Sequence, residues 1–351
     1  MIPFNLLLEK LADAYNNNLP FVAYNKPNSS IVNGVFQEDD TLHFVKDFSE
    51  KGFVFAPFDS KEDTILIPNH ISISARVDLS EKNKLVPNSV SEESIEAKEN
   101  HIEFVRTTRN YIENSTVEKI VIARAKNVSN INLEVFSVFE KLIQAYRHAT
   151  CYIWFHPKVG MWMGATPETL LEIEGSKFKT MSLAGTQRFV NTTEVTWGTK
   201  EIEEQQMVTD YVLSNLKKVT DTLNVSDTYT AKAGSLLHLR TDITGAIENE
   251  NAVAKLIEVL HPTPAVCGFP RETSKSYILK NENFDRSYYT GFLGELNMDG
   301  SSALYVNLRC MEVLDENSLR LYVGGGITAK SNPEKEWEET VAKCKTMESI
   351  L

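Results

Sequence analysis

The stretch SLRLYVGGGITAKSNPEKEWEET, Ser318 to Thr340, joins a strand pattern, a run of three glycines and a proline-led acidic segment. Its first half alternates apolar and polar residues, and it follows SSALYVNLRCMEVL, so the two segments are expected to form a β-hairpin. Gly324, Gly325 and Gly326 match neither a Walker A loop nor a dinucleotide loop. Lys330-Ser331 has no glycine beside it, and Ile327-Thr328-Ala329 breaks the GxGxxG spacing. Two readings stay open for the glycines: a tight turn, or a place where backbone approaches a ligand closely. In the second half, Asn332 or Ser331 can cap a helix whose first position is Pro333, which puts Glu336 and Glu339 one turn apart.

The segment TKEIEEQQMVTDYVLSNLKKVTDTL reads as a long helix carrying the same device, Glu201 and Glu204 at i, i+3. Such pairs are commonly solvated helix faces. Two of them facing each other across a cleft would suit a hard divalent cation, Mg²⁺ above all, because it is held by carboxylate oxygens and keeps waters for an anionic ligand.

Elsewhere strand patterns run in blocks: FVFAPF, DTILIP and ISISARV before residue 80, KIVIARAKNV, then CYIWFHP, GMWMGAT and TLLEIEG. Helices are expected over Glu93–Asn114 and VFSVFEKLIQAYRHA, and the polar stretch from Ser80 reads as a loop leading into the first of them. Strands in blocks, not strictly interleaved with helices, point to an α+β fold with mainly antiparallel pairing. Residues 1–95 are read as a strand-rich N-terminal portion of the same fold, and 96–351 as its core.

The 351 residues carry a formal net charge of −12, which argues against general nucleic-acid binding. A small anion would need a local cluster of cations. The N-terminal MIPFNLLLEKLADAY is amphipathic and lacks the basic start of a signal peptide, and no apolar run is long enough to span a bilayer. The four cysteines are far apart and form no CxxC pair. A reduced, cytoplasmic protein without membrane attachment is expected. Lys119, opening the strand KIVIARAK, is either an edge lysine facing solvent or, in a closed pocket, a base. Glu168, after the proline of GATPETLLEI, is either a loop carboxylate or a general acid. His238 and His261 are too far apart in sequence to form a local metal motif, and HPTP can simply stop a helix.

Taken in order, EKIVIAR, GATPETLLEI, SLAGTQ, KEIEEQQMV, HLRTDITG, LHPTPAVCGFPRE, YYTGFLGEL, LYVNLRC, VGGGI and EWEETVAKCKTM resemble the chorismate-utilising enzymes, over roughly Glu93 to Leu351. The resemblance implies one domain, a large antiparallel β-sandwich ringed by helices, holding a Mg²⁺-dependent chorismate site. By the same resemblance, Glu204 and Glu339 would be direct metal ligands and Glu201 and Glu336 outer partners through water. Arg309 and Lys343 would hold carboxylates. Gly185, Thr186 and Gly324, Gly325 and Gly326 would donate backbone hydrogen bonds, with Tyr289 nearby and His238 beside the ring. A monomer is expected.

Two positions bear on the branch. Relatives that bind substrate covalently carry a lysine where this chain has Ala184, and ammonia-using relatives carry glutamine where it has Lys119. Water is therefore the expected nucleophile, with Lys119 as its base and Glu168 as the acid for the departing hydroxyl, giving isochorismate. The nearest rival also eliminates pyruvate to give salicylate. Whether the product serves quinone or siderophore synthesis is not set by the site. Glu295 departs from the aromatic residue usual in relatives, and its direction is open.

Overall fold

The computed structural model describes residues 1–79, 93–129, 131–233, 236–247 and 252–351. The segment 80–92, expected as a loop, lies outside them.

The strands read as unbroken apolar runs because both of their faces are covered. Alternate residues of a strand point to opposite sides. In Phe21–Asn25, Val22 and Tyr24 face one core while Phe21 and Ala23 face another. In Gly52–Ala56, Phe53 and Phe55 face the first of these, and Val54 and Ala56 a third. The shared core lies between two sheets. It is built from large aromatics such as Trp154, stacked on Phe55 at 4.6 Å between ring centroids, and Trp162, stacked on Tyr322 at 5.3 Å.

One sheet runs through Ile2–Pro3, Ile71–Arg76, Ile31–Phe36, Phe21–Asn25, Thr150–His156, Gly160–Thr166, Cys310–Asp315, Ser318–Ile327, Lys119–Ser129 and Gly268–Phe269. The other runs through Leu223–Val225, Leu236–Ala246, Lys177–Arg188, Thr169–Glu174, Ser301–Val306, Phe292–Met298, Gly52–Ala56, Ile65–Pro68 and His43–Phe44, with Tyr229–Ala233 also paired to Leu236–Ala246. Among the described residues only Ile2–Pro3 pairs in parallel. Helices Phe4–Asn16 and Val135–Ala145 cover the outside of the first sheet through Leu7, Leu11, Phe139 and Leu142. Helices Thr199–Leu216 and Ala252–Leu260 cover the second through Val208, Val212, Leu256 and Leu260. The fold is therefore α+β, a sandwich of two sheets flanked by helices.

The expected helix over Glu93–Asn114 spans Ile95–Glu113, capped by Ser94. Asn332 caps Pro333–Glu348, accepting from the Lys335 amide at 2.9 Å, with Pro333 in its first turn.

The expected hairpin needs one correction. SSALYVNLRCMEVL is not a single arm: Ser301–Val306 belongs to one sheet and Cys310–Asp315 to the other, and only the latter pairs with Ser318–Ile327. Polar fastening holds the crossing between the sheets. Fully buried Asn307 accepts from the Tyr152 hydroxyl at 2.7 Å and donates to the Tyr288 carbonyl at 2.9 Å. Two residues on, Arg309 adopts φ 49°, a left-handed conformation uncommon for a residue with a side chain. Among the described residues no helix is long and apolar enough to cross a membrane.

Candidate active site

Gly324–Gly326 sit in mid-strand, paired with Ala123, Ile122 and Val121, and not in a turn. What they contribute is the space that side chains would fill. A Cβ on Gly326 would stand 2.6 Å from Lys119 Cε and 3.3 Å from Glu204 Oε1, and one on Gly324 would stand 3.0 Å from the Tyr289 hydroxyl. Of the two readings left open by the sequence, the tight turn is excluded, and what comes close to the glycines is the side chains of Lys119 and Tyr289.

The space belongs to a cavity of about 160 Å³. Glu168, Gly185, Thr186, Glu201, Glu204, His238, Tyr289, Arg309, Gly324, Gly325, Gly326, Glu336, Glu339 and Lys343 all line it. Lys119, fully buried, reaches its wall through Nζ, which is 2.6 Å from Glu204 Oε1. Every residue singled out by the sequence for the site is thus brought together. Glu295 is not: it accepts from the Tyr24 hydroxyl and pairs with Lys26 in the sandwich, both at 2.5 Å.

Each wall has a local cause. Strand Lys177–Arg188 breaks register between Ala184 and Gln187, and Gly185 takes φ 68° in that bulge. The bulge frees the Gly185 carbonyl to accept from His238 Nδ1 at 2.9 Å. With Nδ1 carrying the proton, Nε2 is left facing Arg309 Nη2 at 3.3 Å. Burial, helped by the Arg309 charge, pushes the His238 pKa down to about 4, so the ring is neutral. Lys343 donates to the Gly324 carbonyl at 2.7 Å and pairs with Glu339 at 2.8 Å one turn back on its own helix.

Glu168 is the most perturbed carboxyl of the site. It is buried, and among the described residues its carboxyl has no hydrogen-bond partner. Burial raises its pKa to about 7 in spite of the nearby charges of Lys119 and Arg309. It can therefore hold a proton at neutral pH.

The four glutamates come from the N-terminal turns of two helices, Thr199–Leu216 and Pro333–Glu348. Their all-carboxylate chemistry suits a hard divalent cation. Among the described residues, however, no three acidic, His or Cys groups are gathered into a ready metal site. Lysines supply the positive charge instead. Lys119 holds Glu204, Lys343 holds Glu339, and Lys200 bridges from one helix to Glu336 on the other at 3.2 Å. Burial raises the Glu336 pKa against the pull of Lys200. At Glu339 burial acts in the same direction, but Lys343 and Lys200 together outweigh it and the net shift is downward. The donor chemistry suits such an ion, and among the described residues three ammonium groups pair with three of the four carboxylates, Glu204, Glu336 and Glu339. Lys200 is the site residue that sequence reasoning missed, although it directly precedes Glu201 in KEIEEQQMV.

A cavity that gathers this basic and acidic set inside such a sandwich defines a class: the chain belongs to the chorismate-binding enzymes, whose family pattern matches residues 59–351. Among individual proteins, it is 30% identical over 313 residues to isochorismate synthase DhbC of Bacillus subtilis, covering 83% of this chain and 78% of DhbC. It is 30% identical over 247 residues to isochorismate synthase EntC of Escherichia coli, covering 67% of this chain and 62% of EntC. A solved structure of DhbC from Bacillus anthracis matches with a TM-score of 0.80 at 26% identity, covering 97% of this chain and 98% of that one.

Proposed function

We propose that the chain is an isochorismate synthase, converting chorismate to isochorismate in a Mg²⁺-dependent reaction. One observation carries the reading: a buried carboxyl with a pKa of about 7, Glu168, shares its cavity with Lys119 and with the cations Arg309 and Lys343. Chorismate is a dianion, and Arg309 and Lys343 supply charges to hold its two carboxylates, Arg309 as a two-pronged donor. Ala184 lies in the cavity wall where covalent relatives carry a lysine, so no amine is offered there and a free nucleophile must enter.

Lys119 acts as the base that takes a proton from water, and the water oxygen bonds to ring carbon 2. The ring double bonds shift and the bond from carbon 4 to its hydroxyl breaks, the departing oxygen taking the proton held on Glu168. One water enters and one leaves, so the net change is an isomerisation. Neutral His238, fixed by the Gly185 carbonyl, stands beside Arg309 and orients it. Glu204 and Glu339, with Glu201 and Glu336 beside them, would hold Mg²⁺. Bound there, the ion would supply positive charge for the ring carboxylate.

The test is incubation of purified protein with chorismate, with and without Mg²⁺, followed by chromatographic separation of the products. Isochorismate formed only with Mg²⁺ is expected. Salicylate with an equal amount of pyruvate would move the chain to the salicylate synthases, and anthranilate formed from ammonia would refute the role given to Lys119.

A further inference from the structure

The inner cavity adjoins a second, larger hollow of about 1370 Å³, and the two share Pro167, Thr186, Arg309, Glu339 and Lys343 in their walls. Seven lysine and arginine side chains line this hollow against two glutamates, in a chain whose net charge is −12. Four of the seven, Arg188, Lys232, Lys335 and Lys345, are exposed. Among the described residues none of these four has a carboxylate within ion-pair distance, and Lys232 is instead seated over the Phe189 ring at 3.4 Å. They come from three elements: the end of strand Lys177–Arg188, strand Tyr229–Ala233 and helix Pro333–Glu348.

Gathering like charges around a concavity is unfavourable through self-repulsion, and an acidic protein has carboxylates enough to neutralise them. A concave wall of one sign focuses its field and raises the local concentration of counter-ions. The shared residues Arg309 and Lys343 continue that field inward, so an anion entering the hollow finds cations all the way to the cavity. We infer that the hollow is an electrostatic antechamber, which draws a small dianion out of solution and hands it to Arg309 and Lys343. The inference rests on the proposed chorismate reaction for the identity of the dianion. It adds Arg188, Lys232, Lys335 and Lys345 as residues that govern capture without touching the reacting atoms.

The test compares Arg188→Glu/Lys232→Glu with a control of equal charge change on exposed lysines outside both cavities, Lys46→Glu/Lys61→Glu. Chorismate association by stopped-flow fluorescence and kcat/KM are measured from about 20 mM to about 500 mM salt, a range over which screening shortens from tens of ångströms to a few. In the antechamber variant both quantities should fall about tenfold at low salt, within the range that steering supplies. The gap should close at high salt, kcat should stay within about twofold of the parent, and the control should follow the parent throughout. An antechamber variant that matches the parent at low salt, or a control that falls as far, overturns the inference while leaving the proposed reaction in place. If the parent neither binds nor converts chorismate, the proposed reaction fails and the antechamber fails with it.

Discussion

Two buried carboxylates in this molecule are handled in opposite ways. Glu282 lies behind strand Lys119–Ser129, where Arg286 donates to it at 2.6 and 2.7 Å and the Ala123 amide at 2.8 Å. Arg286 in turn donates to the Val121 and Val266 carbonyls, at 2.6 and 3.0 Å. Val121 and Val266 also line the cavity, so the pair braces its wall. On the other side of that wall Glu168 is equally buried and has no such partners. A buried charge that supports structure is paired and hydrogen-bonded, whereas one left unsatisfied keeps its proton and can give it away. The cavity is thus a place where stability is forgone next to a place where it is secured.

The largest expected effects come from removing the proton-transfer groups on the cavity side. Lys119→Ala and Glu168→Gln should each lower kcat by about 10²–10⁴-fold, the range for one general acid or base, with native circular dichroism and near-normal chorismate binding. Normal turnover in either variant would break the comparison. Breaking the satisfied side should do the reverse. Arg286→Ala strands Glu282 and should cost about 3–5 kcal/mol of stability in urea denaturation.

A third prediction sharpens the contrast through pH. The folded pKa of Glu168, about 7, lies above the ordinary value of 4.5, so the carboxyl favours the folded state most below pH 4.5, and that contribution is lost as pH rises to 7. Glutamine does not titrate. The stability of Glu168→Gln relative to the parent should therefore rise by about 3 kcal/mol between pH 4 and pH 8, the free-energy equivalent of that shift. A flat difference would place Glu168 among ordinary carboxylates. The smallest effect concerns geometry alone. Gly326→Ala puts a methyl group against Lys119 Cε, which must move, and kcat should fall by up to about 100-fold with the fold intact.

Much of this was legible before any coordinates. Short apolar segments such as FVFAPF announced strands, Asn332-Pro333 announced a helix start, and the i, i+3 glutamates announced two acidic helix faces. The crossing at Asn307–Arg309 was not legible, because LYVNLRC keeps a strand's alternation while its backbone changes sheets. The placement of the glycines was also hidden: three in a row resemble a turn, and only the partner strand shows that they make room for Lys119 and Tyr289. The lysine partners of the glutamates depend on how two helices meet, which local spacing does not encode. Gln205 shows the same limit. It looks like a surface residue of an acidic helix, yet it is buried and donates to Ser182 and Thr241 on the sheet beneath.

The most direct measurement is the titration of Glu168 itself, by carboxyl-carbon NMR of glutamate-labelled protein with Glu168→Gln used to assign the signal. A carboxyl titrating near pH 7 in the parent and missing from the variant is the expected result. If the signal lost in the variant titrates near the ordinary value of 4.5, the group is a carboxylate at neutral pH, and its role as proton donor is contradicted.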